Sequence, residues 1–136
     1  AILNPNIEVV LIDRKSTFID FLTIAKADLN LENITIVKKD ILKASFYLDT
    51  ETVVMKNFSN KKISKMNFES KFIHLMKIIK KSKRVSKAYM LTGSPVLELS
   101  KECIKEFNLK TCKIPTPFFD TNRFVAEAIF ENIINS

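Results

Sequence analysis

The sequence predicts an α/β fold in which an open, mostly parallel sheet carries helices on its faces and ends in an antiparallel strand. Short β-branched runs alternate with segments of helical period, the first two runs are joined through a helix, and the last apolar segment alternates. The predicted element order is β-α-β-β-α-β-α-β-β. A chain of 136 residues can bury one core, so a single domain over residues 1–136 is expected.

The first two predicted strands each end on a carboxylate. Ile7–Ile12 is a nearly unbroken apolar run followed by Asp13, and Ile34–Val37 is a second one whose chain continues to Asp40. Parallel strands place their carboxyl ends at one edge, and open α/β sheets bind ligands at that edge. The alternative is that both acids are polar strand ends that turn the chain into solvent.

The segment between these strands has the period of an amphipathic helix. Ser16 is the predicted N-cap, and Asp20 is expected in about the first turn, where the helix dipole favours an anion. The predicted buried face consists of Phe18, Phe21, Leu22, Ala25 and Leu29.

The middle of the chain again alternates between predicted strands and helices. Thr52–Met55 predicts a third strand, Phe68–Lys81 a helix, and Lys87–Leu91 a fourth strand. A third helix is then predicted with Ser94 as its N-cap and Pro95 as its first residue. The apolar face of the second helix comprises Phe72, Leu75, Met76 and Ile79.

The sequence predicts the fifth strand more clearly than the last one. Leu109–Ile114 predicts a fifth strand, which Pro115 ends because proline cannot donate to a ladder. For Arg123–Ile134, alternation favours an antiparallel strand, whereas the Ala-Glu-Ala centre suits a helix equally well. We favour a strand that continues through Phe130.

Positive charge is concentrated in one part of the chain. Between Lys61 and Lys87 there are ten Lys or Arg residues against one acid, Glu69, whereas the remainder holds twelve basic and fourteen acidic residues. Such a field is typical of nucleic-acid binding, and the alternative is a solvated, lysine-rich helix face. The predicted RNA contacts in this segment are Lys61, Lys62, Lys80, Lys81, Lys83 and Arg84.

Several functional classes find no support in the residues. The single histidine, His74, has no partner at ligand spacing, and two cysteines are too few for a disulfide framework, so no metal site is predicted. No nucleophile elbow or phosphate-binding glycine loop occurs, so catalytic residues stay unassigned and any chemistry would come from a bound cofactor. No apolar run is long enough to span a membrane. Two cysteines that are expected to be reduced favour a cytoplasmic protein, with the interior of an organelle as the alternative.

Three segments carry a resemblance to known enzymes: VVLIDRKSTFIDFLTIAKADLNLENITIVKKDI, VVMKNFSN and KAYMLTG. From their second strand onward, the chain resembles the class I S-adenosylmethionine-dependent methyltransferases. Within them it is most similar to the glucose-inhibited division protein B family, the small-subunit ribosomal RNA guanine-N7 methyltransferases. The resemblance implies an open, mostly parallel Rossmann-like methyltransferase sheet that is N-terminally incomplete, without the first strand and its glycine-rich loop.

The resemblance also implies a set of cofactor residues. S-adenosylmethionine would be the cofactor, with Asp13 facing its ribose and Arg14 beside it. Asp40 and Ile41 would frame the adenine, and Lys56 stands where the family has an arginine that contacts the cofactor or substrate.

A ribosomal RNA of the small subunit would be the partner on this reading. Asn57 and Phe58 would line the mouth of the site next to the target base, with Phe58 available to stack on it. Catalysis would consist mainly of positioning the guanine nitrogen against the methyl group.

Two alternatives stay open. One is a non-catalytic, methyltransferase-like module that binds RNA or takes part in ribosome assembly. The other is a nucleotide-binding α/β domain of unrelated chemistry, because fold does not determine function.

Overall fold

The computed structural model describes residues 1–43, 46–56, 64–93, 99–115 and 123–130. The predicted order of strands and helices is confirmed within these ranges. The elements are β1 (Val9–Asp13), α1 (Ser16–Asp28), β2 (Ile34–Lys38), β3 (Thr52–Lys56), α2 (Phe68–Lys80), β4 (Lys87–Thr92), α3 (Lys101–Glu106), β5 (Lys110–Ile114) and β6 (Arg123–Ile129).

The contacts within the chain divide it into two compact units, which we call unit 1 (Ala1–Phe46) and unit 2 (Tyr47–Ser136). Unit 1 contains β1 and β2, paired in parallel from Val9↔Ile34 to Asp13↔Lys38, with α1 as the crossover between them. This is the strand–helix–strand arrangement that the apolar runs predict. The single domain over residues 1–136 stays a prediction.

The start of α1 differs from the prediction in its cap. The N-cap is Lys15, which has an extended backbone and makes no side-chain capping bond. Ser16 is therefore the first helical residue, and its hydroxyl accepts a hydrogen bond from the Lys38 ammonium group instead. No acidic residue lies in the first turn, so Asp20 is too far along the helix to complement the dipole there.

The predicted buried face of α1 is wrong in part. Phe18, Phe21 and Leu29 are 49%, 66% and 57% exposed, whereas Leu22 and Ala25 are half-buried. The half-buried side of the helix is completed by Ile19 and Lys26. Two strands form a sheet only about 10 Å wide, which is roughly the diameter of one helix, so they cover a single narrow stripe of α1.

Unit 2 is built on a four-stranded mixed sheet with the order β3-β4-β6-β5. β3 and β4 are parallel, and β6 runs antiparallel to both of its neighbours. The prediction of an antiparallel last strand is confirmed, and the helical alternative for this segment is wrong within the described residues. The segment adopts a strand because β6 lies between β4 and β5 in the sheet and is hydrogen-bonded to both.

The best-packed core lies on one face of this sheet. The predicted apolar face of α2 is confirmed, because Phe72, Leu75, Met76 and Ile79 are each 1% exposed. Phe107 is fully buried and meets Phe72 and Phe130 edge to face, with ring centroids 6.3 and 6.4 Å apart. This core supports the sheet of unit 2, at whose carboxyl edge Lys56 and Thr92 lie.

The third helix begins later than predicted. Ser100 is its N-cap, in an extended conformation, and its hydroxyl accepts a hydrogen bond from the Cys103 N–H at 3.2 Å. A helix that begins at Pro95 and continues without interruption into α3 is therefore wrong, since Ser100 has an extended backbone. Ser94 and Pro95 themselves lie outside the described residues. None of the described helices is long and apolar enough to cross a membrane.

Candidate functional site

The carboxyl ends of β1 and β2 form one edge of unit 1. Asp13 is in register with Lys38, and the Lys39 N–H donates to the Asp13 carbonyl oxygen at 2.9 Å. Asp40 follows directly, so the chain leaves both strands at the same edge. The prediction that two carboxylates meet at a common edge therefore agrees with the pairing of the strands.

The two carboxylates are oriented in the same way, by a hydrogen bond from a backbone N–H group two residues later in the chain. Asp13 Oδ1 accepts a hydrogen bond from the Lys15 N–H at 2.8 Å, and Asp40 Oδ1 accepts one from the Leu42 N–H at 3.0 Å. Each bond spans two residues, as in an Asx turn, and each acid is half-buried. Since an ionised carboxylate can accept about four hydrogen bonds, both retain acceptor capacity for a ligand.

Several cationic residues are close in sequence to these acids. Lys15 Nζ lies 5.2 Å from the centre of the Phe18 ring, and Lys39 Nζ lies 5.7 Å from that of Phe46. Arg14 is exposed, directly after Asp13, and Ile41 is half-buried in the turn after Asp40. The edge therefore offers acceptors, cations and an apolar side chain within one short stretch of chain.

Unit 2 has a corresponding edge at the carboxyl ends of β3 and β4. Lys56 ends β3 opposite Leu91, and Thr92 ends β4 opposite Phe124. The Arg123 guanidinium lies close to Gly93, because a Cβ atom added there would be 3.4 Å from Arg123 Nη1. A side chain at Gly93 would thus be in ordinary van der Waals contact with the arginine, which makes the two residues neighbours at this edge, where Lys56 is exposed.

The predicted RNA contacts are distributed over two ends of unit 2. Asn57, Phe58, Lys61 and Lys62 lie outside the described residues. The other four predicted contacts, Lys80, Lys81, Lys83 and Arg84, are exposed at the C-terminal end of α2 and in the turn that follows it.

This turn lies at the amino-terminal edge of the sheet, not at the edge of Lys56. The N–H groups of Ser86 and Lys87 donate to the Glu51 carbonyl oxygen at 2.9 and 3.1 Å, next to the first residues of β3 and β4. A helix that joins two parallel strands must return along the sheet, so its C-terminus lies opposite the strands' carboxyl ends. The strand–helix–strand order predicted from the sequence implies this position for the C-terminal end of α2. The count of charged residues alone does not.

Arg123 is the residue that the sequence motifs did not single out as a site residue. It marks the start of the last strand, and only the antiparallel pairing of β6 with β4 brings it to Gly93. Among the described residues, no group of three or more His, Cys, Asp or Glu side chains is placed to hold a metal ion.

Known structures share the fold of this chain. The human methyltransferase 10 domain containing protein aligns with a TM-score of 0.62 and 16% identity, over 90% of this chain and 60% of its own length. A precorrin-6y C5,15-methyltransferase from Geobacter metallireducens aligns at 0.56 and 11%, over 93% and 69%. A rRNA methylase from Streptococcus thermophilus aligns at 0.54 and 11%, over 90% and 72%.

The identities are low, so these similarities establish the fold, and the chain spans about 60% of the first of these proteins. A comparison with curated protein sequences found no match. The family model described as GidB, rRNA small subunit methyltransferase G, matches residues 1–87, which include both carboxylates and α2. The chain therefore belongs to the GidB family.

Proposed function

We propose that this chain is the core of an S-adenosylmethionine-dependent methyltransferase that acts on small-subunit ribosomal RNA in the cytoplasm. The observation that carries the proposal is the position of Asp13 and Asp40, whose carboxylates are oriented at one sheet edge within the segment that matches the family. Open α/β sheets bind nucleotides at such an edge.

The residues at this edge fit the nucleoside half of the cofactor. A ribose presents two neighbouring hydroxyl groups, and a carboxylate that keeps free lone pairs can accept both of their hydrogen bonds. Asp13 meets this requirement, since the Lys15 N–H engages only its Oδ1 atom. Asp40 and Ile41 supply an acceptor for an amino group and an apolar surface for a base.

The cofactor would supply an electrophilic methyl group on its sulfonium sulfur. The side chains of this chain would bind and orient the two reactants, because no described cluster suggests a covalent intermediate. Lys56 and Arg123 are exposed at the carboxyl edge of unit 2 and are candidates to contact the RNA phosphates next to the target base.

The RNA partner is supported by family membership and by the charge of the segment from Lys61 to Lys87. Lys61, Lys62, Lys80, Lys81, Lys83 and Arg84 remain the proposed contacts to its backbone. A non-catalytic RNA-binding module is not favoured, since the matching family consists of methyltransferases.

Calorimetric titration of S-adenosylmethionine into the full chain tests the proposal. We expect measurable binding that weakens about tenfold or more in Asp13→Ala, because hydrogen bonds to a charged group contribute about 1.5–3 kcal/mol each. Asp20→Ala is the matched control: it removes the same charge from an exposed position on α1 and should leave the affinity unchanged.

Equal weakening in both variants would show that net charge, rather than the Asp13 carboxylate, governs the affinity. An absence of binding to the folded wild-type chain would overturn the cofactor assignment and favour the non-catalytic alternative.

A further inference from the structure

Hydrogen bonds and an ion pair join the short segment before β3 to the turn after α2. The Leu48 N–H donates to the hydroxyl oxygen of Ser82 at 2.9 Å, and Ser82 is 1% exposed. Asp49 forms an ion pair with Arg84 at 2.8 Å, and the Glu51 carbonyl oxygen accepts the two backbone bonds described above. Tyr47 is therefore held next to the C-terminal end of α2.

Six cations lie in the last turn of α2, in the turn that follows it and at the first residue of β4, and we call them, together with Tyr47, the basic edge. They are Lys77, Lys80, Lys81, Lys83, Arg84 and Lys87, all exposed. Asp49 and Glu51 are the acids close to Arg84, so six positive charges against two negative ones leave a formal charge of +4. Within the described residues, none of the five lysines forms an ion pair.

The helix dipole accounts for only part of this charge. Lys77 and Lys80 lie in the last turn of α2, where a cation stabilises the helix. Lys83 and Lys87 lie beyond the helix and gain nothing from its dipole, which acts within one turn. Lysines that lie close together without paired acids are instead typical of a surface that binds phosphates.

Tyr47 adds an aromatic surface to this charge. It is 52% exposed, although a tyrosine normally buries much of its ring. The hydrogen bond and charge of Asp49 raise the pKa of Arg84, with smaller contributions from Glu51 and Tyr47, so the phenol lies within electrostatic reach of the guanidinium. An exposed ring among cations is the arrangement on which unpaired bases stack.

The basic edge is separated by the length of the sheet from the carboxyl edge of unit 2, where Lys56 and Gly93 lie. Helix α2 has 13 residues and spans about 20 Å between the end that follows β3 and the end that precedes β4. A nucleotide that contacts the basic edge is therefore several nucleotides away from one that lies at Lys56 and Gly93, since a strand of nucleic acid rises about 3.4 Å per residue.

We propose that the basic edge is a docking surface for a single-stranded segment of the substrate RNA, remote from the methylated base, with the cations contacting phosphates and Tyr47 stacking on a base. The proposal rests on the function proposed above and adds the form of the substrate, which is an RNA whose unpaired segment extends to the far edge of the sheet.

Fluorescence anisotropy with a labelled single-stranded RNA of about 12 nucleotides tests the surface, since such sites cover about 4–16 nucleotides. In the triple variant Lys80→Gln, Lys81→Gln, Lys83→Gln, the slope of log affinity against log salt should decrease by about 2. The matched control is Lys101→Gln, Lys105→Gln, Lys110→Gln, which removes three exposed lysines elsewhere in unit 2 and should leave the slope unchanged.

Two tyrosine variants test the stacking role. Tyr47→Phe keeps the ring and should bind as the wild type does, whereas Tyr47→Ala should weaken binding by about tenfold. Equal loss in the two triple variants, or tighter binding to a duplex of the same sequence, would overturn the proposal. So would a Tyr47→Ala variant that binds as tightly as the wild type.

The titration of S-adenosylmethionine separates this inference from the proposed function. If the wild-type chain binds the cofactor but the Lys80, Lys81 and Lys83 variant keeps full RNA affinity, the docking surface is refuted and the methyltransferase proposal stands. If RNA binding depends on the basic edge in a chain that does not bind the cofactor, the docking surface stands and the methyltransferase proposal is refuted.

Discussion

Glu69 shows how one side chain connects two elements of unit 2. It lies in the first turn of α2, and its carboxylate accepts a hydrogen bond from the Ser100 N–H at 3.0 Å, at the start of α3. Hydrogen bonds from Ser100, from its side chain first and then its backbone, hold the pKa of Glu69 below its ordinary value of 4.5. The carboxylate thus caps a helix that is distant in sequence.

This lowered pKa predicts a pH dependence of stability. A depressed folded-state pKa contributes stability above the unfolded-state value of 4.5, and the contribution is lost as the pH falls through the folded-state pKa. In urea unfolding, Glu69→Gln should therefore be less stable than the wild type at neutral pH, and the difference should shrink below pH 4.5.

Glu106→Gln is the control for this measurement, because it removes the same charge from an exposed position at the end of α3, where an acid opposes the helix dipole. Glu106→Gln should therefore not lower the free energy of unfolding at neutral pH by an amount that disappears in acid. A Glu69→Gln deficit that stays constant across the pH range would contradict the assignment.

At the scale of the element, the first two helices begin in different ways. The Asn67 side chain accepts a hydrogen bond from the Ser70 N–H at 2.8 Å and so caps α2. The residue in the same position before α1 is Lys15, which makes no such bond. The Asn67 side chain therefore satisfies a backbone donor at the start of α2, whereas the corresponding donor of α1, the Phe18 N–H, bonds to the Lys15 carbonyl oxygen at 3.2 Å.

We expect Asn67→Ala to lower the free energy of unfolding by about 1 kcal/mol, the usual cost of a lost cap. Ser16→Ala should cost only a few tenths of a kcal/mol, because an exposed hydrogen bond to a lysine contributes little. Urea unfolding monitored by circular dichroism measures both values. A larger loss for Ser16→Ala would restore the sequence-based prediction that Ser16 is the cap.

At the scale of the whole molecule, burial is unevenly distributed between the two units. Among the residues that the structure describes, only Ile34 and Phe46 of the buried apolar side chains belong to unit 1, and the others lie in unit 2. Unit 1 instead exposes several large apolar residues. They are Ile2, Leu3, Ile7, Val10, Phe18, Phe21, Ile24 and Leu29.

This distribution predicts very different effects for two phenylalanines. Phe107→Ala removes a fully buried ring with two edge-to-face partners and should lower the free energy of unfolding by about 3–5 kcal/mol. Phe21→Ala removes a ring that is 66% exposed and should change it by less than about 0.5 kcal/mol. Comparable losses in chemical denaturation would mean that Phe21 is covered in solution.

Local patterns determined much of this protein. The β-branched runs and the helical period of α2 specify the order of the elements, because backbone preference and burial act within a few residues. The acids after β1 and β2 were also predictable at one edge, since a helix crossover makes their strands parallel. The resemblance to the GidB family rests on these same segments, and the family match over residues 1–87 confirms it.

The tertiary structure decided what depends on contacts between distant segments. Which side of α1 is covered depends on the width of the sheet beneath it, so the spacing of Phe18 and Phe21 could not reveal their exposure. Arg123 reaches Gly93 only through the pairing of β6 with β4. Lys56 and the segment Lys80–Lys87 lie at opposite edges of the sheet of unit 2, because α2 returns along the sheet between β3 and β4. The direction of the chain, and not the charge of the residues, determines this position.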